Sequence, residues 1–239
     1  SNFIYIANIR LPTEKAHGIQ IMKTCEALAK QGVQVELVVP KRHNKIKEAP
    51  FDFYGIQKLS SFTIKRLWSL DAIWWPLPAL LKKIAFWKQT ATFAWSAWWY
   101  VITSVNKNPS PTRGRSILYT RDLILALVLP KEKLYCEVHW LPERVRWYHR
   151  RAYKRVRGII VISNGIKNDL FKLGMPEEKI CMARDAVDLK QFQIVLSKAG
   201  ARKRLSLSLD QKIVVYTGHL YDWKGADNIA SAASKLPSI

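Results

Sequence analysis

Short, unbroken apolar runs alternate along this chain with longer stretches whose apolar residues recur every three or four positions. That is the pattern of buried strands separated by amphipathic helices. Phe3-Ile-Tyr-Ile-Ala7 predicts a short buried strand, and Asn8 to Gly18 a loop. Ile21, Met22, Cys25, Leu28 and Ala29 then hold helical spacing up to Gly32, a helix stop, and Val33 to Val39 predicts the next strand, closed by Pro40. Ser116–Thr120, Leu134–His139, Gly158–Ser163 and Ile180–Ala183 continue the strand series. Asn164 to Leu173 predicts a helix capped by Ser163 or Asn164 and stopped at Gly174-Met-Pro176. Parallel strands need helical crossovers, so the expected architecture is α/β, a doubly wound Rossmann-like domain over residues 1–192. Polar and basic residues 193–211 read as a linker, and residues 212–239 as the start of a second domain. There Ile213–Tyr216 reads as a buried parallel strand, Gly218 and Gly225 as the bounds of a tight loop, and Ala226–Lys235 as a helix.

One region, 62–105, interrupts this pattern as a tryptophan-rich amphipathic insert. It holds seven of the ten tryptophans, five cations and a single acid, Asp71. Gln89 to Val105 carries no charge, yet the run is shorter than the ~20 apolar residues of a membrane span. Gln89, Thr92, Ser96 and Thr103 sit at helical spacing opposite Ala91, Trp95, Trp98, Ile102 and Val105, which predicts a one-sided helix. Two readings stand side by side. In one, Trp95 and Trp98 lie at the headgroup level of a membrane while Lys82, Lys83 and Lys88 meet anionic lipid. In the other, the helix covers the sheet and its tryptophans fill core volume.

Charge bears on that choice. The formal net charge is +21, a field that attracts polyanions. Residues 144–157 carry seven cations and no acid, with Val145, Tyr148, Ala152 and Val156 at helical spacing and Arg150 and Arg151 on the remaining surface. No nucleic-acid module is visible, so an anionic membrane surface ranks ahead of nucleic acid as the polyanion. The hydrophobic fraction of 49 % supports a packed core. Cys25, Cys136 and Cys181 have no metal-ligand or disulfide spacing, and each falls in an apolar run where it reads as a small buried hydrophobe. With no secretory signal at Phe3–Ala7, the expected compartment is the cytoplasm, peripheral on the inner face of the plasma membrane.

Candidate chemistry gathers at the loops. Tyr216-Thr-Gly-His-Leu-Tyr-Asp-Trp-Lys-Gly225 joins a strand, a glycine loop, a lysine and a helix, a combination suited to an anionic phosphate. Gly18, at the mouth of the first strand–loop–helix, either lets backbone N–H groups approach a phosphate or serves as a plain turn glycine. His139 ends a strand at the carboxyl edge of the sheet, where α/β ligands bind, and Glu137 shares its face by alternation. Ser163 and Asn164 are explained by helix capping.

The segments Glu14-Lys-Ala-His-Gly-Ile-Gln20, Glu137-Val-His-Trp-Leu-Pro142, Val161-Ile-Ser-Asn-Gly165, Ala183-Arg-Asp-Ala-Val-Asp188 and Tyr216–Gly225 occur in this order on successive strand ends. On these segments the chain resembles the family 4 glycosyltransferases, over nearly its whole length except the tryptophan-rich insert. The resemblance implies a GT-B fold of two facing Rossmann-like domains, the second incomplete here. It implies transfer of a sugar from a nucleotide-sugar with retention of configuration and no obligatory metal. The N-terminal domain would hold the acceptor, a saccharide or lipid-linked saccharide, and the C-terminal domain most of the nucleotide. His139 would lie near the donor sugar to orient and hydrogen-bond it, with Glu137 as its partner and Ser163 and Asn164 near the cleft. Lys224 would reach the leaving diphosphate beside Gly218. His219 stands where the family commonly has an arginine, and Ala186 departs from the usual Asp-Gly-Val-Asp. The family's paired glutamates would lie beyond Ile239, so the expectation is a chain that binds donor weakly and turns over little alone, completed in a longer protein or by a second chain. The alternative is a non-catalytic or split-enzyme module that scaffolds or binds glycan at the membrane.

Overall fold

The computed structural model describes residues 2–105, 116–193, 196–218 and 220–235. The chain forms two compact units, Ser1–Asp185 and Ala186–Ile239. The first is built on seven parallel strands: β1 (Asn2–Ile6), β2 (Gln34–Pro40), β3 (Phe62–Leu67), β4 (Ile117–Thr120), β5 (Leu134–Val138), β6 (Gly158–Val161) and β7 (Ile180–Met182). Their order is β3-β2-β1-β4-β5-β6-β7. The chain winds outward one way from β1 and then the other way from β4, so the carboxyl ends of β1 and β4 form the switch point where α/β ligands bind.

Helices cover both faces. Alternation along β1 sends Ile4 and Ile6 to one core and Tyr5 to the other. On the Tyr5 face lie α1 (Ala16–Lys30), with Ile21, Met22 and Cys25 inward, and the short α2 (Pro50–Phe53). On the Ile4 face lie α3 (Ala79–Tyr100, continued by a π turn Val101–Val105), α4 (Leu123–Val128), α5 (Trp147–Arg155) and α6 (Asn164–Lys172). Near-continuous apolar runs form these strands because a sheet covered on both sides gives each one two buried faces.

Several expectations change. Phe62–Leu67 belongs to the sheet and not to an insert: β3 pairs residue for residue with β2, from Val35↔Phe62 to Pro40↔Leu67. As an edge strand it keeps Lys65 and Arg66 exposed, so no apolar run announces it. The apolar side predicted for α3 is not the side that covers the sheet. Phe93, Ala97 and Val101 are buried at four-residue spacing, and Gln89 is buried with them. Gln89 Nε2 donates to Asn8 Oδ1 at 2.9 Å, and Asn8 Nδ2 donates to Thr90 Oγ1 at 3.2 Å, so the polar residues on this face are bonded into the loop after β1. Trp87, Trp95 and Trp99 point outward, each more than half exposed, which removes the reading in which the tryptophans fill the core. Small side chains, Ala94 and Ala97, stand with Phe93 on the side of this helix that joins the core. Cys25 and Cys136 are buried as expected, whereas Cys181 is exposed on the outer side of edge strand β7.

The second unit holds α7 (Lys198–Arg204), capped by Ser197 Oγ accepting from Gly200 N at 3.1 Å, and α8 (Ala226–Ala233). The stretch read as a linker therefore contains a helix. Ile213–Tyr216 forms no strand, and Val214 and Val215 are exposed. Among the described residues of this unit no other strand offers it a partner, and an unpaired extended segment gains nothing from burial. No helix among the described residues is long and apolar enough to cross a membrane.

Candidate active site

At the carboxyl edge of β1, β4 and β5, side chains from five segments converge. Each sits there for a local reason. Gln20 lies in the second turn of α1, the helix that crosses from β1 to β2. Arg121 follows β4 directly, and Asp122 beside it caps α4, its carboxylate accepting from Ile124 N at 2.9 Å and Leu125 N at 3.2 Å. Glu137 is the fourth residue of β5 and His139 the first beyond it. Asp185 lies past β7.

The cluster is a single hydrogen-bonded network. Tyr5 Oη donates to Glu137 Oε2 at 3.1 Å. Gln20 Nε2 donates to Glu137 Oε1 at 3.0 Å and to Asp185 Oδ1 at 3.1 Å, while Arg121 Nη1 donates to Gln20 Oε1. The arginine thereby sets the orientation of the amide, oxygen toward the guanidinium and nitrogen toward the carboxylates. His139 Nε2 lies 2.7 Å from Glu137 Oε1. The best assignment of protons follows from counting donors. The two amide hydrogens of Gln20 serve the two carboxylates, so His139 Nε2 carries its own proton and donates it to Glu137. His139 Nδ1 then remains as the ring nitrogen with no partner among the described residues.

Electrostatics agree with that assignment. Burial pushes the Glu137 carboxyl up, but the bond and charge of His139, the charge of Arg121 and the bond from Gln20 together hold it below the ordinary glutamate value. Burial and the Glu137 charge push the Tyr5 and Tyr119 phenols far up, so both stay protonated as donors. Burial, with Arg121 and Lys15 nearby, lowers His17, which favours the neutral ring.

Gly18 is tied to packing. A Cβ there would meet Tyr54 Oη at 2.3 Å and Thr13 Cγ2 at 2.6 Å. Tyr54 Oη accepts from Thr13 N and donates to Thr13 O, both at 2.7 Å, so the loop before α1 is held by the phenol that lies over this glycine. The ligand atoms of Glu137, His139 and Asp185 lie within 4.8 Å of one another, a group able in principle to take a cation. The Gln20 amide nitrogen stands among them, 3.0–3.3 Å from all three.

The remaining predicted residues lie elsewhere. Ser163 caps α6, its Oγ accepting from Ile166 N at 3.3 Å, and Asn164 begins that helix at the surface. In the second unit, Gly218 and Gly225 have φ of +146° and +66°. Lys224 Nζ lies 3.7 Å from where a side chain on Gly218 would begin, so this loop folds its lysine back over its first glycine. His219 lies outside the described residues. Lys82, Lys83, Trp95, Arg150 and Arg151 are exposed on the first unit. Trp98, Trp147, Arg150, Arg151 and Lys154 line an open groove of about 880 Å³ beside α5.

Gln20, Arg121 and Asp185 were not singled out from sequence. Gln20 and Asp185 belong to two of the motif segments and Arg121 directly follows a strand, but only the fold brings them together.

Residues 18–191 match the sequence pattern of Glycosyltransferase Family 4. The chain is similar in structure to Anabaena HepE, solved in complex with UDP, with a TM-score of 0.61 and 13 % identity over 99 % of this chain and 58 % of HepE. It is also similar to apo UGT2 of Phytolacca americana, with a TM-score of 0.51 and 14 % identity over 83 % of this chain and 56 % of UGT2. It thus spans somewhat over half the length of each, and at these identities the likeness establishes the GT-B glycosyltransferase fold. No curated protein matches it. With the greater part of its length inside the family pattern and its fold that of GT-B enzymes, the chain belongs to glycosyltransferase family 4.

Proposed function

We propose that this chain supplies the acceptor-side domain, with the opening part of the donor-side domain, of a retaining glycosyltransferase. The reaction moves a sugar from a nucleoside-diphosphate sugar to a saccharide or lipid-linked acceptor. One observation carries the reading: His139, its ring held by an ionised Glu137, stands at the switch point beside Gln20 and Arg121 in a family 4 chain. The complexes of HepE with UDP, with UDP-glucose and with UDP and glucose support a nucleotide-sugar donor.

In this account Glu137 fixes the His139 tautomer, and Nδ1 accepts a hydroxyl hydrogen of the donor sugar. Arg121 lends positive charge to a site in which negative charge develops as the glycosidic bond breaks. In the second unit, the Gly218–Gly225 loop serves the diphosphate, with Lys224 as its point charge. The reading invokes no metal.

The exposed tryptophans of α3 and the groove lined by Trp98, Arg150 and Arg151 support peripheral attachment to an anionic membrane surface on the cytoplasmic side. The catalytic reading is tested with the protein expressed from its complete reading frame, incubated with UDP-, GDP-, ADP- and dTDP-sugars. Release of nucleoside diphosphate from one of them, accelerated by a saccharide or lipid extract, is expected. No release from any donor with any acceptor fraction sinks it. Product whose anomeric configuration is inverted removes the retaining assignment.

A further inference from the structure

A second cationic site lies on the other half of the same sheet edge, beyond the carboxyl ends of β1, β2 and β3. Three loops meet there and are tied to one another. Arg66 Nη2 on β3 donates to Leu11 O at 3.2 Å, and Asn44 Nδ2 after β2 donates to Pro12 O at 2.7 Å. His43 N donates to Asp71 Oδ2 at 2.8 Å, which joins the loop after β2 to the loop after β3.

Arg42 sits in this junction with only 17 % of its side chain exposed. Its guanidinium carries five N–H donors; Nε faces Asp71 Oδ1 at 3.6 Å, an ion pair too long for a hydrogen bond, so both buried atoms stay unbonded. Arg10 Nε is also buried with no acceptor, and Arg10 reaches Glu14 only through Nη2 at 3.4 Å, on the exposed side. Burial lowers the Arg42 pKa from its ordinary value; Asp71 opposes this, and the positive charge of Arg10 adds to it. Two arginines thus stand near each other with unspent donors. Asp71 Oδ1 is the acceptor nearest Arg42 Nε, whereas Arg10 Nε has none among the described residues; buried donors are nearly always bonded in folded proteins, so an acceptor from outside the chain would satisfy it.

An aromatic surface borders the same site. The His43 ring stacks on Trp74 at 4.5 Å between centroids, and Trp75 packs edge-on to Trp74 at 5.8 Å. Both indoles remain about half exposed, which leaves flat apolar area beside the cations. A guanidinium pairs with planar or tetrahedral oxyanions through two parallel N–H bonds, and a sugar ring presents an apolar C–H face to an indole.

We propose that Arg10, Arg42 and Trp74 form an acceptor subsite for a saccharide that carries an anionic group, a phosphate or a carboxylate. The proposal rests on the reading that this unit holds the acceptor. The arginines bind the oxyanion, and Trp74 supports the sugar ring next to it.

The test is isothermal titration calorimetry of the protein with inorganic pyrophosphate, glucuronate and glucose. The variants are Arg10→Gln, the pair Arg42→Gln with Asp71→Asn, and Trp74→Ala. The paired substitution removes both charges together, so no buried acid is left unpaired, and Arg10→Gln changes a side chain that is partly exposed and tolerates loss of its pair. Wild type is expected to bind pyrophosphate or glucuronate, and glucose much more weakly. Each arginine variant should weaken the anion by tenfold or more, and Trp74→Ala should weaken glucuronate but not pyrophosphate. Preference for pyrophosphate assigns a phosphate-linked acceptor, and preference for glucuronate an acidic sugar. Binding of neither anion overturns the proposal, as does equal binding by wild type and both arginine variants. Nucleoside-diphosphate release with no effect of the arginine substitutions on anion binding defeats this inference alone. Arginine-dependent anion binding in a protein that releases no nucleoside diphosphate from any donor defeats the transferase reading and leaves the subsite standing.

Discussion

Replacing His139 by alanine is expected to lower nucleoside-diphosphate release by about 10²–10³-fold, the usual effect of removing one preorganised hydrogen-bonding group from an active site. The expectation rests on geometry. The ring is locked by a 2.7 Å contact to a carboxylate, and its second nitrogen has no partner among the described residues. Glu137→Gln keeps the shape but replaces an acceptor of three donors with an amide, one end of which must face a donor. It is expected to cost about 1.5–3 kcal/mol of stability, the range for hydrogen bonds to a charged group. The sign of the pH dependence follows from the lowered carboxyl. The stabilisation is fully present above the ordinary glutamate value of 4.5 and is lost as pH falls through the lower folded value. The gap in melting temperature between wild type and Glu137→Gln should therefore be constant near neutrality and shrink only below about pH 4.5. A gap that opens between pH 6 and 8 would assign the effect to another group.

Phe93→Ala is expected to destabilise the first unit by about 3–5 kcal/mol, whereas Trp95→Ala should change stability by no more than about 0.5 kcal/mol. The contrast is unusual, since the larger aromatic is the one whose loss is tolerated. Phe93 is fully buried between α3 and the sheet, while Trp95 is 58 % exposed and rests against Trp99 at 6.2 Å. Thermal melts of the two variants decide the matter, and a large cost for Trp95→Ala would show that the indole is packed. The same variants address the membrane. Trp95→Ala with Trp98→Ala should reduce flotation with vesicles rich in an anionic lipid while leaving the fold intact, because indoles favour the headgroup level. Unchanged flotation would place the membrane contact elsewhere or nowhere.

The legible parts of the fold were those with two buried faces. β1, β2, β5 and β6 read directly from unbroken apolar runs because helices cover both sides of each. β3 was hidden, since an edge strand with Lys65 and Arg66 carries no such run. Ile213–Tyr216 had the apolar run but no partner strand among the described residues, which shows that composition alone does not make a strand. For α3 the pattern left open whether the tryptophan side meets a membrane or the sheet, and Gln89 looks like a solvent residue until Asn8 is seen to bond it. At the site, His139 and Glu137 were visible as a strand end and its alternate neighbour. Gln20, Arg121 and Asp185 were not, because their contacts join positions 101 to 165 residues apart, and no local pattern encodes such distances.

We propose that the donor's sugar is held at the carboxyl edge of β1, β4 and β5. Backbone hydrogen exchange, compared with and without the nucleotide-sugar that supports release, tests it directly. The account predicts slowed exchange at the start of α1 through Gln20, at Arg121–Leu123 and at His139–Leu141. Exchange unchanged in all three segments while protection appears elsewhere in the first unit would contradict it.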